Sequence, residues 1–175
     1  LDTCWPEVKD KKNRLVGYQK QIAERILVGR AGSSVASPHR DIQLVDAGLV
    51  DNPAKARAAA SLFRREEVDL IFLFVSTYAI SSTVLPVVQR AGVPVIVLNL
   101  QPVARLDYDH FNALASREEM TGEWLAHCQA CSVPEIAGVF KRAGIDYHLV
   151  TGVLNDEPTW REISAWVEAA RVRAE

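Results

Sequence analysis

The chain has 175 residues, 49% of them hydrophobic, enough to bury one substantial core and too few for two, so residues 1–175 read as a single domain. The 20 Lys and Arg against 22 Asp and Glu give a net charge of -2, without the basic surplus that a phosphate backbone or an anionic lipid surface requires, so neither nucleic acid nor a membrane is an expected partner. The longest apolar run, around residues 70–75, is far shorter than the roughly 20 residues of a membrane helix.

The chain starts Leu1-Asp2-Thr3-Cys4-Trp5-Pro6, with no initiator Met, no basic segment and no apolar core of a signal peptide, and the natural N-terminus is expected further upstream. Three cysteines, Cys4, Cys128 and Cys131, are few and odd in number. That argues against a disulfide scaffold and for a reducing compartment, the cytoplasm.

In chain order, Val8, Leu15, Tyr18, Ile22 and Ile26 recur at mostly three- and four-residue steps, which predicts an amphipathic helix over residues 7–28. Residues 29–40 are rich in Gly and Ser and read as a turn or mobile loop, followed by a short strand over residues 42–45. Asp51-Asn52-Pro53 supplies a capping residue and a first-turn proline for an Ala-rich helix running to Arg65. The run Leu70-Ile71-Phe72-Leu73-Phe74-Val75 predicts a strand covered on both faces, in the middle of a sheet. Ser81-Ser82-Thr83 opens a helix ending at Ala91-Gly92, and residues 94–98 repeat the buried-strand pattern. Helices over residues 118–128 and 134–143, a stop at Gly144, a strand over residues 147–151 and a helix over residues 159–173 complete the reading. This alternation predicts an α/β fold: a three-layer, doubly wound parallel sheet of flavodoxin or Rossmann type. Ligands of such sheets sit beyond the C-terminal strand ends.

Those ends offer polar groups. Ser76-Thr77-Tyr78-Ala79-Ile80-Ser81-Ser82-Thr83 sets several hydroxyls between a strand and a helix start, where they can bind a polyol or simply cap the helix. Asn99-Leu100-Gln101-Pro102 adds two amides. His127-Cys128-Gln129-Ala130-Cys131 contains a C-x-x-C, but no second such pair completes a zinc site. A thioredoxin-like site puts this motif directly after a strand, whereas here it falls within or at the end of a helical stretch, so buried or cleft-lining thiols are expected. There is no G-x-G-x-x-G after a strand, no phosphate-binding G-x-x-x-x-G-K-[ST] and no G-x-S-x-G, so no nucleotide cofactor and no complete catalytic constellation is expected in this chain.

Leu1-Asp2-Thr3-Cys4-Trp5-Pro6, Asp46-Ala47-Gly48-Leu49-Val50-Asp51, Thr77-Tyr78, Leu98-Asn99-Leu100-Gln101-Pro102, residues 122–131 and Val150-Thr151-Gly152 together resemble the N-terminal domain of the L-arabinose/L-fucose isomerase family, over nearly the whole chain. The resemblance implies a first strand just before Leu1 and central and C-terminal catalytic domains after Glu175. It implies an aldose–ketose isomerase using a divalent metal, usually Mn²⁺, held by acidic residues and His of those later domains, with no catalytic or metal-binding residue in this chain. The isolated chain would be inactive. It would supply contacts to a monosaccharide and to a homo-oligomer, a trimer or hexamer.

By position, the resemblance makes Asp2, Cys4 and Trp5 the loop after the first strand, with Trp5 stacking on the sugar's apolar face and Asp2 accepting hydroxyl protons. Thr77, Tyr78, Asn99 and Gln101 join them from the strand ends, and Cys128, Gln129 and Cys131 from the helix that reaches a neighbour's pocket. The arabinose isomerases carry a Gln and a His where Cys128 and Cys131 align. The residues alone also allow a free-standing flavodoxin-like sensor module for a small molecule such as a sugar, or a thiol oxidoreductase using Cys128 and Cys131.

Overall fold

The computed structural model describes residues 8–28 and 42–174, without the side chains of residues 8–12, 28, 129, 130 and 174. The elements run α1 (Val8–Val28), α2 (Pro53–Arg65), β1 (Ile71–Phe74), α3 (Ser81–Ala91), β2 (Val95–Gln101), α4 (Tyr108–Asn112), α5 (Arg117–Ala126), α6 (Gln129–Arg142), β3 (Tyr147–Val153) and α7 (Glu157–Ala174). The fold is α/β, as the alternation predicts. The expected loop at residues 29–40 lies outside the described residues.

The three strands form one parallel sheet in the order β1-β2-β3, with Ile71 opposite Val95 and Asn99 opposite Thr151. In β2 every residue from Val95 to Leu100 is buried, because helices pack on both of its faces. Ile96, Leu98 and Leu100 join Ile22 and Ile26 of α1 and Ile163 and Val167 of α7 in one cluster. Val95 and Val97 point the other way, toward Val84 and Val88 of α3 and Ile136 and Phe140 of α6. The period-two alternation of a strand therefore feeds two cores.

Two strand expectations need correction. The apolar run at residues 70–75 does form β1, but among the described residues β1 is an edge strand and β2 is central. Hydrophobicity reports whether a strand's faces are covered, and both faces of β1 are. Which backbone lies alongside it is a separate matter. Residues 42–45 are not a strand: they belong to an irregular segment whose Ile42 and Leu44 pack on the core without a ladder partner. Between this segment and β1 lies a cavity of about 200 Å³, lined by Leu44 and Leu49 on one side, Ile71 and Leu73 on another, and Ile22 of α1 and Val87 of α3 across its ends.

Helix boundaries follow local chemistry. Asn52 caps α2 by accepting the Lys55 N–H at 3.0 Å, with Pro53 in the first turn, and Ser116 caps α5 by accepting from Glu119 N at 3.1 Å. Gly92 at φ 67 ends α3 in the left-handed conformation that glycine adopts without a Cβ penalty. α6 starts at Gln129, five residues before the expected Pro134, which the helix carries inside it. The short α4, capped by Asp107 on His110 N, was not expected.

Gly152 of β3 lies against the start of α7. A Cβ there would overlap Thr159 Oγ1 and come within 2.9 Å of Thr159 Cβ. Thr159 cannot simply turn away, because its N–H and hydroxyl both donate to Asp156 Oδ2, at 3.2 and 2.7 Å. Gly152→Ala is therefore expected to cost about 2 kcal/mol, the range of overpacking in a tight site, read as a lowered urea midpoint at unchanged slope.

Candidate functional site

The polar strand-end surface grows out of the alternation in β2. Val95 and Val97 fill the core under α3 and α6; Asn99 and Gln101, next in the same register, carry that column past the apolar cluster as amides. Asn99, only 7% exposed, donates through Nδ2 to Thr151 Oγ1 of β3 at 3.3 Å and accepts from Gln101 Nε2 at 3.3 Å. Two of the expected site residues thus form one hydrogen-bonded row with Thr151, whose position opposite Asn99 comes from the parallel register.

The next strand end is tied to the helices beyond it. Thr77 donates its hydroxyl to the Leu125 carbonyl at 2.6 Å, and the Ala79 N–H donates to Ser132 Oγ at 2.6 Å. The Thr77 hydroxyl is thereby committed to holding the α5–α6 junction against the loop. No hydroxyl of the cluster caps α3: the residue before the helix is Ile80, and it is Glu135 of α6 whose Oε1 accepts the Ser81 N–H at 3.3 Å together with the Ser81 hydroxyl at 2.6 Å. Thr83 is buried. Tyr78, 55% exposed, and Ser82, also exposed, are the polar members of the cluster open to a ligand.

The structure adds a group not anticipated from the sequence. Arg14 of α1 reaches Glu123 of α5 with Nη1–Oε2 at 3.0 Å and Nη2–Oε1 at 3.3 Å, and His127 Nε2 lies 3.1 Å from Glu123 Oε1. The Glu123 and His127 side chains are each 12% exposed. Donating to the Glu123 carboxylate holds the Arg14 guanidinium above its ordinary pKa against the opposing effect of burial, with Tyr18 adding to the rise. An imidazole held by a carboxylate that an arginine anchors can exchange protons or hydrogen-bond a hydroxyl. The i,i+4 spacing of Glu123 and His127 was visible in the sequence; Arg14, 109 residues away, was not.

The C-x-x-C differs from its expected place. α5 ends at Ala126, Cys128 is the residue before α6, and Cys131 lies in the first turn of α6, so the motif starts a helix and does not lie inside or at the end of one. The two Sγ atoms are 2.7 Å apart, with Cys128 buried and Cys131 exposed. Of the remaining expected site residues, Asp2, Cys4 and Trp5 lie outside the described residues, as does the side chain of Gln129. Among the described residues no group of three or more His, Cys, Asp or Glu side chains is placed to hold a metal ion, and no helix is long and apolar enough to cross a membrane.

Fold and site together define an α/β domain with a three-stranded parallel sheet and a polar row across two of its strand ends. No protein-family model matches the chain, and no curated protein is significantly similar to it.

Proposed function

We propose that this chain is the N-terminal, substrate-binding and oligomer-forming domain of a metal-dependent aldose–ketose isomerase of the arabinose/fucose type. The observation that carries the reading is the row Gln101, Asn99 and Thr151 at the C-terminal ends of β2 and β3. Two amides and a hydroxyl on a parallel sheet's C-terminal edge suit a ligand that is itself a row of hydroxyls.

In this reading the sheet is part of a doubly wound, three-layer domain, with α1 and α7 over one face and α3 and α6 over the other. A further apolar strand of the same polypeptide occupies the cavity beside β1. That cavity is lined by core residues of both faces, as a strand buried on both sides requires. The divalent metal is held by acidic residues and His of the later domains, as the resemblance implies. When bound, it polarises the sugar oxygens; the residues of this chain bind and orient the sugar hydroxyls and keep water from them. The protein works in the cytoplasm as a homo-oligomer.

The test is an aldose panel given to the full-length protein with Mn²⁺, read by ketose formation. A pentose or 6-deoxyhexose is expected to turn over while residues 1–175 alone stay inactive. No turnover of any aldose by the full-length protein overturns the reading.

A further inference from the structure

The arrangement of the two thiols at the α5–α6 junction has chemistry of its own. Cys128 and Cys131 are one helical turn apart, their backbones joined by the Cys131 N–H donating to the Cys128 carbonyl at 3.3 Å, and their sulfurs meet at 2.7 Å. A disulfide needs about 2.05 Å between the sulfurs, so closing the bond takes a movement of less than about 1 Å with no rearrangement of the chain. The pair is also asymmetric. Cys131 is exposed in the first turn of a 14-residue helix, within reach of a reagent in solution, whereas Cys128 is buried.

We propose that Cys128 and Cys131 form a thiol–disulfide switch, in which exposed Cys131 reacts first with a low-molecular-weight disulfide and buried Cys128 then closes the intramolecular bond. In the first step the Cys131 thiolate attacks one sulfur of the small disulfide: a protein–small-molecule S–S bond forms, the original S–S bond breaks, and one small thiolate leaves and takes up the proton Cys131 lost. In the second, Cys128 gives up its proton and attacks Cys131 Sγ, the mixed disulfide breaks, and the second small thiolate leaves with that proton. The protein loses two hydrogens and two electrons, and the small disulfide gains both as two thiols. Burial, then the hydrogen bond and charge of Cys131, push the Cys128 thiol up to about 12, in keeping with exposed Cys131 as the first to react.

The switch is wired to the strand ends. Ser132, next to Cys131, accepts the Ala79 N–H, and Leu125, three residues before Cys128, accepts the Thr77 hydroxyl. Closing the bridge ties the residue before α6 to the first turn of that helix, between the two residues that hold the loop carrying Tyr78. This inference does not rest on the sugar reading, since it concerns only the two thiols.

The experiment equilibrates the Cys4→Ser form of the chain with glutathione disulfide at neutral pH, followed by intact mass and alkylation. Expected is the loss of two hydrogens and of both alkylatable thiols, with no glutathione retained and full reversal by dithiothreitol. Cys128→Ser in the same background should stop at one glutathione adduct on Cys131. Cys131→Ser, which changes an exposed position and leaves the core intact, should stay unmodified. Retention of glutathione by the form holding both thiols, adduct formation on Cys128 in the Cys131→Ser variant, or disulfide-linked dimers in place of the internal bridge would each overturn the proposal, as would no reaction at all.

Discussion

Truncating Phe140 to Ala is expected to lower the unfolding free energy by about 4 kcal/mol, a large part of what a domain of this size possesses. Phe140 is fully buried in the cluster that joins α6 to the sheet, and its ring meets Tyr147 of β3 edge-on with centroids 5.8 Å apart. Removing it loses the transfer energy of the ring, the edge-to-face contact and the packing of the cavity left behind, in a cluster held rigid by helix and strand on opposite sides. The check is urea unfolding by circular dichroism, with Val172→Ala as control: Val172 is 65% exposed, and its truncation should move the midpoint by no more than about 0.5 kcal/mol. Equal effects at the two positions would mean that Phe140 is not in the cooperative core.

An extended form of the chain that carries one additional apolar strand at its N-terminus should be more stable by about 3 kcal/mol, since two Val- or Leu-sized side chains taken out of water contribute about 1.5–3 kcal/mol each. The pocket beside β1 that would receive them is lined mostly by apolar side chains and is partly open. At about 2–4 °C per kcal/mol for this length, the melting temperature should rise by about 6–12 °C. The added strand would also satisfy the outer N–H and C=O groups of β1, which no ladder partner engages among the described residues. The comparison is between the extended chain and the same chain with two apolar residues of the added strand changed to Lys. The first should gain the stability and the second lose it; an extension that raises the melting temperature equally in both forms would show that it packs elsewhere.

The fold was legible where a signal is local. The Ala-rich α2 with its Asn52 cap, the glycine stops at Gly92 and Gly144, and the fully apolar β2 carry their structure in short stretches of sequence, and the observed elements agree with them. The misreadings share a cause. A strand at residues 42–45 needed a partner that hydrophobicity does not reveal, and the edge position of β1 is a matter of neighbouring backbone rather than of side chains. α4 is five residues long, too short for a helical period to show, and only Asp107 hinted at it. The helix expected over residues 134–143 begins five residues earlier, at Gln129, and carries Pro134 in its sixth position.

The site divides in the same way. Asn99 and Gln101 were legible as two amides after a buried strand, and C-x-x-C as a pair of thiols at helical spacing. What the thiols face depends on where α5 stops and α6 begins, a boundary the periodicity blurred by several residues. The Thr77 hydroxyl, legible as a ligand group, is spent on a carbonyl of a helix 48 residues further along the chain. Arg14 could not have been found, because its partner Glu123 is brought to it by the packing of α1 against α5.

By itself, then, the sequence determined that this is an α/β chain with buried strands and polar strand ends, because hydrophobic period, capping and turn chemistry act over a few residues. Tertiary structure decided which strand is the edge among the described residues and which hydroxyls are spent on other helices. Each of these depends on contacts between residues far apart in the chain, and no local pattern encodes such a contact.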